Sequence, residues 1–158
     1  MASSETPPEP FAPEVAARRA VMALTGAATR AELEAVFAQC GLAREAEDLR
    51  VPETGLVMAR GRIGGDGRAF NLGEATVTRA AVRLPGGETG FAYHLGRDRA
   101  RARLAAILDA HWQNAGRRAA VEAALAAVEA RQAREAQARA ERNAATRVNF
   151  FTLVRGED

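Results

Sequence analysis

The sequence contains no lysine; all 22 of its basic residues are arginine. A Walker-type phosphate loop needs a lysine to reach the phosphates, so that motif is excluded. Cys40 is the one cysteine, which rules out an internal disulfide framework and a cysteine-based zinc site. Histidine occurs only at 94 and 111. Neither has a second histidine four residues away, so no helical HExxH metal motif exists. Aromatic anchors are few: six Phe, one Trp and one Tyr. No apolar run approaches the ~18 residues of a membrane span, and no charged start leads into an apolar leader segment. The cytoplasm is therefore the expected compartment.

What is present is alanine, arginine and acid. Of the apolar residues, 38 are alanine and 37 are larger, so the core must be lean. At 158 residues the chain can still bury about two-thirds of its unfolded surface as one domain. The formal charge is only +2, but it is unevenly placed. Residues 1–58 carry 5 Arg against 9 acids, residues 59–118 carry 11 Arg against 5, and residues 119–158 balance. The middle of the chain is the part suited to an anionic partner, and arginine can meet phosphate or carboxylate with two parallel hydrogen bonds.

Residues 1–12 are polar with three prolines and read as a disordered tail. Pro13 opens a helix that runs to about Leu24 and ends at Gly26. Thr29, with Glu32 three residues on, is a capping-box signature. It starts a second helix with Leu33, Val36 and Phe37 on one face and Gly41 at its end. Beyond Asp48 the signals turn to β. Residues 54–63, 68–72, 74–84 and 89–95 read as four strands. GGDG at 64–67 and PGGE at 85–88 read as turns. Val77, Val82 and Leu84 are candidate core contacts. Phe91, Tyr93 and Leu95 alternate on one face, with His94 on the other. Short connections between successive strands imply an antiparallel meander.

Helix returns at Asp98, a plausible N-cap. Leu104, Ile107, Leu108, His111 and Trp112 recur at i, i+3, i+4, i+7 and i+8, an amphipathic helix. Gly116 breaks or bends it. A further helix runs from about Arg117 to Ala145, with Val121, Leu125 and Val128 on one face. Its second half has no apolar residue larger than alanine, so it is either a solvated arm or a helix packed on another subunit. Residues 147–154, RVNFFTLV, are β-prone. They could complete the chain's own sheet or lie on a partner. The fold expected is α+β: an antiparallel β-meander (strands 48–96) with N-terminal helices (13–40), a C-terminal helical pair (98–145) and a short β-prone tail, in one domain spanning 13–158.

Chemical constellations are weak. His111 lies in a helical apolar stripe and reads as a core-edge histidine. His94 reads as structural or as a ligand contact, and Cys40 as a small buried residue. The run GRIGGDGRAF is flanked by β signals, so it reads as a hairpin turn; an anion nest is the minor reading. Glu53 and Glu74 could face each other across strands, without an acid–base role. No nucleophile–base set can be assembled, no catalytic or metal-ligating residue is expected, and no nucleic-acid motif is present.

Three segments stand out together: ETGLVMARGRIGGDGRAFNLGEATVTRAAVRL at 53–84, GFAYHLGRDRA at 90–100 and RVNFFTLVRGED at 147–158. In this order and spacing the chain resembles the PhnG family, the G subunit of the bacterial carbon–phosphorus lyase core complex. The resemblance is dense over about one-third of the chain and departs most at 1–12 and 113–145. It implies a non-catalytic, organising subunit in phosphonate catabolism. With the H and I subunits, the J subunit and an ATP-binding-cassette-like protein, it would serve synthesis of α-D-ribose 1-methylphosphonate 5-triphosphate from MgATP and methylphosphonate, with adenine released. It also implies that the displacement site belongs to the I subunit, and that an iron–sulfur cluster and S-adenosylmethionine chemistry belong to J. A single cysteine agrees that this chain is not the radical subunit. No cofactor, nucleic acid or membrane is expected to bind this chain.

Two sets of residues follow as candidates. Phe150, Phe151 and Arg155 are the candidate partner contacts; adjacent strand residues face opposite ways, so one Phe is expected on a partner and the other in this domain's own core. Arg60, Arg62, Arg79, Arg83 and Arg97 form the candidate anion-binding set. Arg60 and Arg62 share a face if the strand is regular, as do Arg79 and Arg83. Such a face could hold a triphosphate or an acidic surface, or simply form salt bridges across the sheet. The alternative function is a stand-alone binding domain for an anionic small molecule through this Arg-rich face.

Overall fold

The computed structural model describes residues 12–62 and 67–145. Local chemistry sets most element boundaries within them. Pro13 opens α1 (Pro13–Ala27), where its missing N–H leaves no bond unmade. Before α2 (Arg30–Cys40), the capping box is complete. The Glu32 N–H donates to Thr29 Oγ1 at 3.2 Å, and the Thr29 N–H donates to Glu32 Oε2 at 2.7 Å. Gly41 closes α2 at φ 59°, a left-handed conformation that glycine adopts without strain.

Three strands follow: β1 (Glu47–Gly61), β2 (Phe70–Arg83) and β3 (Thr89–Leu95). They form one antiparallel sheet in the order β1-β2-β3. The α+β meander is as expected, but the strand count is three and not four. The expected strands 68–72 and 74–84 are one continuous β2, bent at Gly73. Gly73 has φ 151° and pairs with Ala59, next to a register shift between Ala59 and Arg60. A lone glycine of this kind makes a bulge and not a chain reversal. β1 also begins well before Thr54. Its first half is irregular, with register shifts on either side of Arg50 and Pro52 in the strand, which an edge strand tolerates.

Asp98 caps α3 (Arg99–Gln113), its Oδ1 accepting the Arg101 N–H at 2.9 Å. The break between helices falls at Asn114, two residues before the expected Gly116. Asn114 ends α3 at ψ 116°. Its Oδ1 accepts the Gly116 N–H at 3.0 Å, so the same residue starts α4 (Ala115–Ala145), in line with asparagine's strength as an N-cap.

α3 is the centre of the molecule. It packs on β2 and β3 on one side and on α1, α2 and α4 on the other. A helix between two layers must be apolar all round, and every residue from Leu104 to Trp112 is buried. The expected stripe, Leu104, Ile107, Leu108, His111 and Trp112, lies within this run, and Val77, Val82 and Leu84 are buried as expected. Gly90 shows how close α3 comes to the sheet. A Cβ there would collide with the Ala106 carbonyl and the backbone nitrogen of Ala110.

Asp109 is fully buried in α3 and polar for a reason. Its Oδ2 accepts the Phe91 N–H at 2.9 Å, and its carboxylate receives Arg18 Nη2 at 2.7 Å and Nε at 3.0 Å. Gln113 Nε2 donates to the Thr89 carbonyl at 2.7 Å. Helix side chains thus take up backbone groups of the edge strand β3 that have no strand beside them.

One end of the molecule collects several element ends. Arg101 of α3 donates to Gly26 O of α1 at 2.6 Å. Arg131 and Gln132 of α4 donate to Ala27 O and Leu24 O at 3.1 and 3.3 Å. β3 also finishes here, with Leu95 beside Val77. From this end two elements continue alone. The β1–β2 hairpin runs on from Leu56↔Thr76 to Gly61↔Phe70 without β3, an arm of roughly 20 Å at ~3.3 Å per residue. Residues 133–145 of α4 also run on, almost wholly exposed, for roughly 20 Å at ~1.5 Å per residue.

Candidate functional site

Both histidines are buried and neither faces a cleft with a free ring nitrogen. His111 Nε2 donates to Ala43 O at 2.8 Å, and its Nδ1 accepts from Arg117 Nη1 at 2.6 Å. Burial above all, with Arg117 adding, holds this imidazole below its ordinary pKa, so it is the neutral core-edge histidine expected. A cavity of about 260 Å³ opens beside it, lined among others by Glu45, Leu84, Glu88 and Arg117. Its polar side chains are partly engaged with one another: Asn114 Nδ2 donates to Glu88 Oε1 at 3.3 Å. His94 is buried on the helix-facing side of β3, with neither ring nitrogen hydrogen-bonded. Burial, and then the nearby Arg101 charge, push its pKa down to about 4. Cys40 is half-buried with its Sγ 3.4 Å from Ala120 O, and burial pushes its thiol up. Among the described residues no cluster of metal-ligating side chains exists. Glu53 and Glu74 do not face each other; their strand partners are Arg79 and Met58.

The arginines of the candidate anion site are spread along the sheet. Arg79 Nε donates to Glu53 Oε1 at 2.7 Å, and Arg50 meets the same oxygen at 2.6 Å. These two guanidinium groups hold the Glu53 carboxyl below its ordinary pKa, with Arg79 contributing most. Arg83 lies 3.9 Å from Glu47. Arg79 and Arg83 do share a face, but each is matched by an acid across the strand. Arg60 sits near the far end of the arm and Arg62 just beyond β1. Arg97 follows β3. The structure therefore brings Arg79 and Arg50 together on Glu53 and leaves Arg60 and Arg83 at opposite ends of the hairpin. Phe150, Phe151 and Arg155 lie outside the described residues, as do the segment 147–154 and residues 1–11 of the tail.

The resemblance implies that the strand region packs against a partner subunit, but which side chains it leaves open was not anticipated from sequence. Large apolar residues lie open on the strands. Phe91, Tyr93 and Leu95 occupy the face away from the helices, Tyr93 being 59% and Leu95 72% exposed. On the arm, Leu56 (61%), Met58 (52%) and Leu72 (63%) are exposed, with Val57 and Phe70. Alternation gave the shared face of Phe91, Tyr93 and Leu95, but not its direction. Gly90, Ala92 and His94 point inward, and at Gly90 α3 approaches too closely for any side chain. Large apolar side chains left open on strands in this number suit contact with another protein.

Comparison with known proteins gives the family. A family described as "Phosphonate metabolism protein PhnG" matches residues 16–156. A protein of Rhizobium meliloti (strain 1021), the alpha-D-ribose 1-methylphosphonate 5-triphosphate synthase subunit PhnG, is 56% identical over 144 residues. The match covers 91% of this chain and 92% of that one. With the match running through the helices, the sheet and the arm alike, the chain belongs to the PhnG family.

Proposed function

We propose that this chain is an organising, non-catalytic subunit of an α-D-ribose 1-methylphosphonate 5-triphosphate synthase in phosphonate catabolism. The observation that carries the reading is its 56% identity, over nine-tenths of both chains, to a subunit so named. The synthase would join MgATP and methylphosphonate and release adenine, with MgATP entering as substrate of the assembly. Its partners would be the H, I and J subunits and an ATP-binding-cassette-like protein, with the iron–sulfur cluster and S-adenosylmethionine held by J. Residues 13–158 would act as one domain, in the cytoplasm. Phe150, Phe151 and Arg155 would add to the contact with a partner.

Two physical features support an organising role. Exposed apolar side chains on the sheet and arm need a cover. Among the described residues, Arg79 and Arg83 are paired with carboxylates, and His111 with Ala43 and Arg117. A stand-alone anion-binding domain finds no such support: Arg79 and Arg83 on the sheet are each matched by a carboxylate. The test is adenine release from MgATP and methylphosphonate by the other subunits, co-expressed with and without this chain. Release should depend on the chain. Equal release in its absence would overturn the reading.

A further inference from the structure

We propose that the free edge of β1 over Thr54–Ala59 receives an extended, acid-flanked strand from one partner subunit, continuing the sheet beyond β1. This rests on the subunit reading above and names how the subunit docks.

The two edges of the sheet are treated differently. β3 is closed by helix side chains, with Asp109 on the Phe91 N–H and Gln113 on the Thr89 carbonyl. The first half of β1 is guarded in another way, by Pro52 and by register shifts on both sides of Arg50. Both devices spoil strand pairing. The second half has neither. From Glu53 to Ala59 the register with β2 is unbroken. Leu56, Val57 and Met58 lie in it without a charge between them, and all three are exposed. A long, regular, apolar edge presents a row of unpaired N–H and C=O groups, and another chain's strand satisfies them directly.

Charge chooses the occupant. Arg60, Arg62 and Arg68 all belong to the outer part of the arm, all are exposed, and none has an ion-pair partner among the described residues. A second copy of this chain fits poorly. Pairing two β1 edges antiparallel about Val57 would set Arg60 opposite Thr54 and Arg62 opposite Pro52. The nearest acid would be Glu53, already held by Arg50 and Arg79 at 2.6 and 2.7 Å. A partner strand of apolar alternation with Asp or Glu beside the tip would satisfy the backbone edge and the arginines together.

Adjacent residues in a strand direct their N–H groups to opposite sides. Of Leu56→Pro and Val57→Pro, one therefore breaks the ladder to β2 and the other blocks only the free edge. Thermal unfolding of the isolated variants tells which is which. Each full-length variant is then co-expressed with the H, I and J subunits and the complex is quantified. The edge-blocking variant, folded like the parent, should assemble at least ten-fold less well. The triple change Arg60→Glu, Arg62→Glu, Arg68→Glu should weaken assembly in the same direction. If the parent assembles and the folded edge-blocked variant assembles equally, strand addition is overturned while the subunit reading stands. If the parent itself does not assemble, the subunit reading fails. A dimer of the isolated chain that the edge-blocking proline abolishes would make a second copy the occupant and overturn the proposal.

Discussion

Asp109 is the residue on which three elements depend. Its carboxylate joins α3 to the edge strand through Phe91 and to α1 through Arg18. Removing the charge leaves Arg18 without its acid and weakens the bond to the Phe91 N–H. Asp109→Asn should cost about 3 kcal/mol in urea unfolding, near the lower end for a broken buried pair, because the Arg18 side chain is 30% exposed and can partly rehydrate. A loss below about 1 kcal/mol would show that the pair is not holding the edge. His94 makes a prediction about pH. Its pKa falls from 6.5 to about 4 on folding, so between those values the unfolded chain binds more protons. Stability should be full above pH 6.5 and decline as pH falls toward 4, by roughly 3 kcal/mol in total at ~1.4 kcal/mol per unit. His111, also depressed, adds to the same slope. His94→Asn should remove the larger part of the slope between pH 6.5 and 4.5, whatever it does to stability at neutral pH. An unchanged slope would mean that His94 is not the group titrating.

At the scale of elements, the helices were legible and the sheet only in part. The Thr29–Glu32 box, Asp98, and the spacing of Val121, Leu125 and Val128 are local signals, and they appear where the chain places them. The sheet depends on what lies against it. Nothing near Gly73 in sequence tells a bulge from a turn; the partner strand does. Period-two alternation likewise cannot say which face is covered, since the answer lies in how closely α3 approaches Gly90. The polar start of β1, EDLRVPE, carried no strand signal because it is an edge, with one side in water. Two glycine substitutions test this picture. Gly90→Ala should destabilise by about 3 kcal/mol, since the colliding atoms are helix backbone and cannot rotate away. Gly55→Ala, with nothing within 4 Å of the new Cβ, should be neutral or stabilising by up to about 1 kcal/mol. Similar losses at both positions would contradict the close packing of α3 on the sheet.

For the whole molecule, the end where α1, β3 and the start of α3 meet also sends out the hairpin arm and the last turns of α4. Neither projection has enough buried apolar surface to hold itself in place, and both suit a chain that is completed by others. The resemblance was legible because 53–84 is a long continuous string, and that string is the arm with its strand roots. The surface itself was not legible, because exposure is a property of the assembled sheet and not of any one segment. The most direct test of the subunit role is the mass of the species purified after co-expression with the H, I and J subunits of the same genome. A single species containing this chain with at least one of the three is expected. A monodisperse chain that leaves all three partners behind would contradict it.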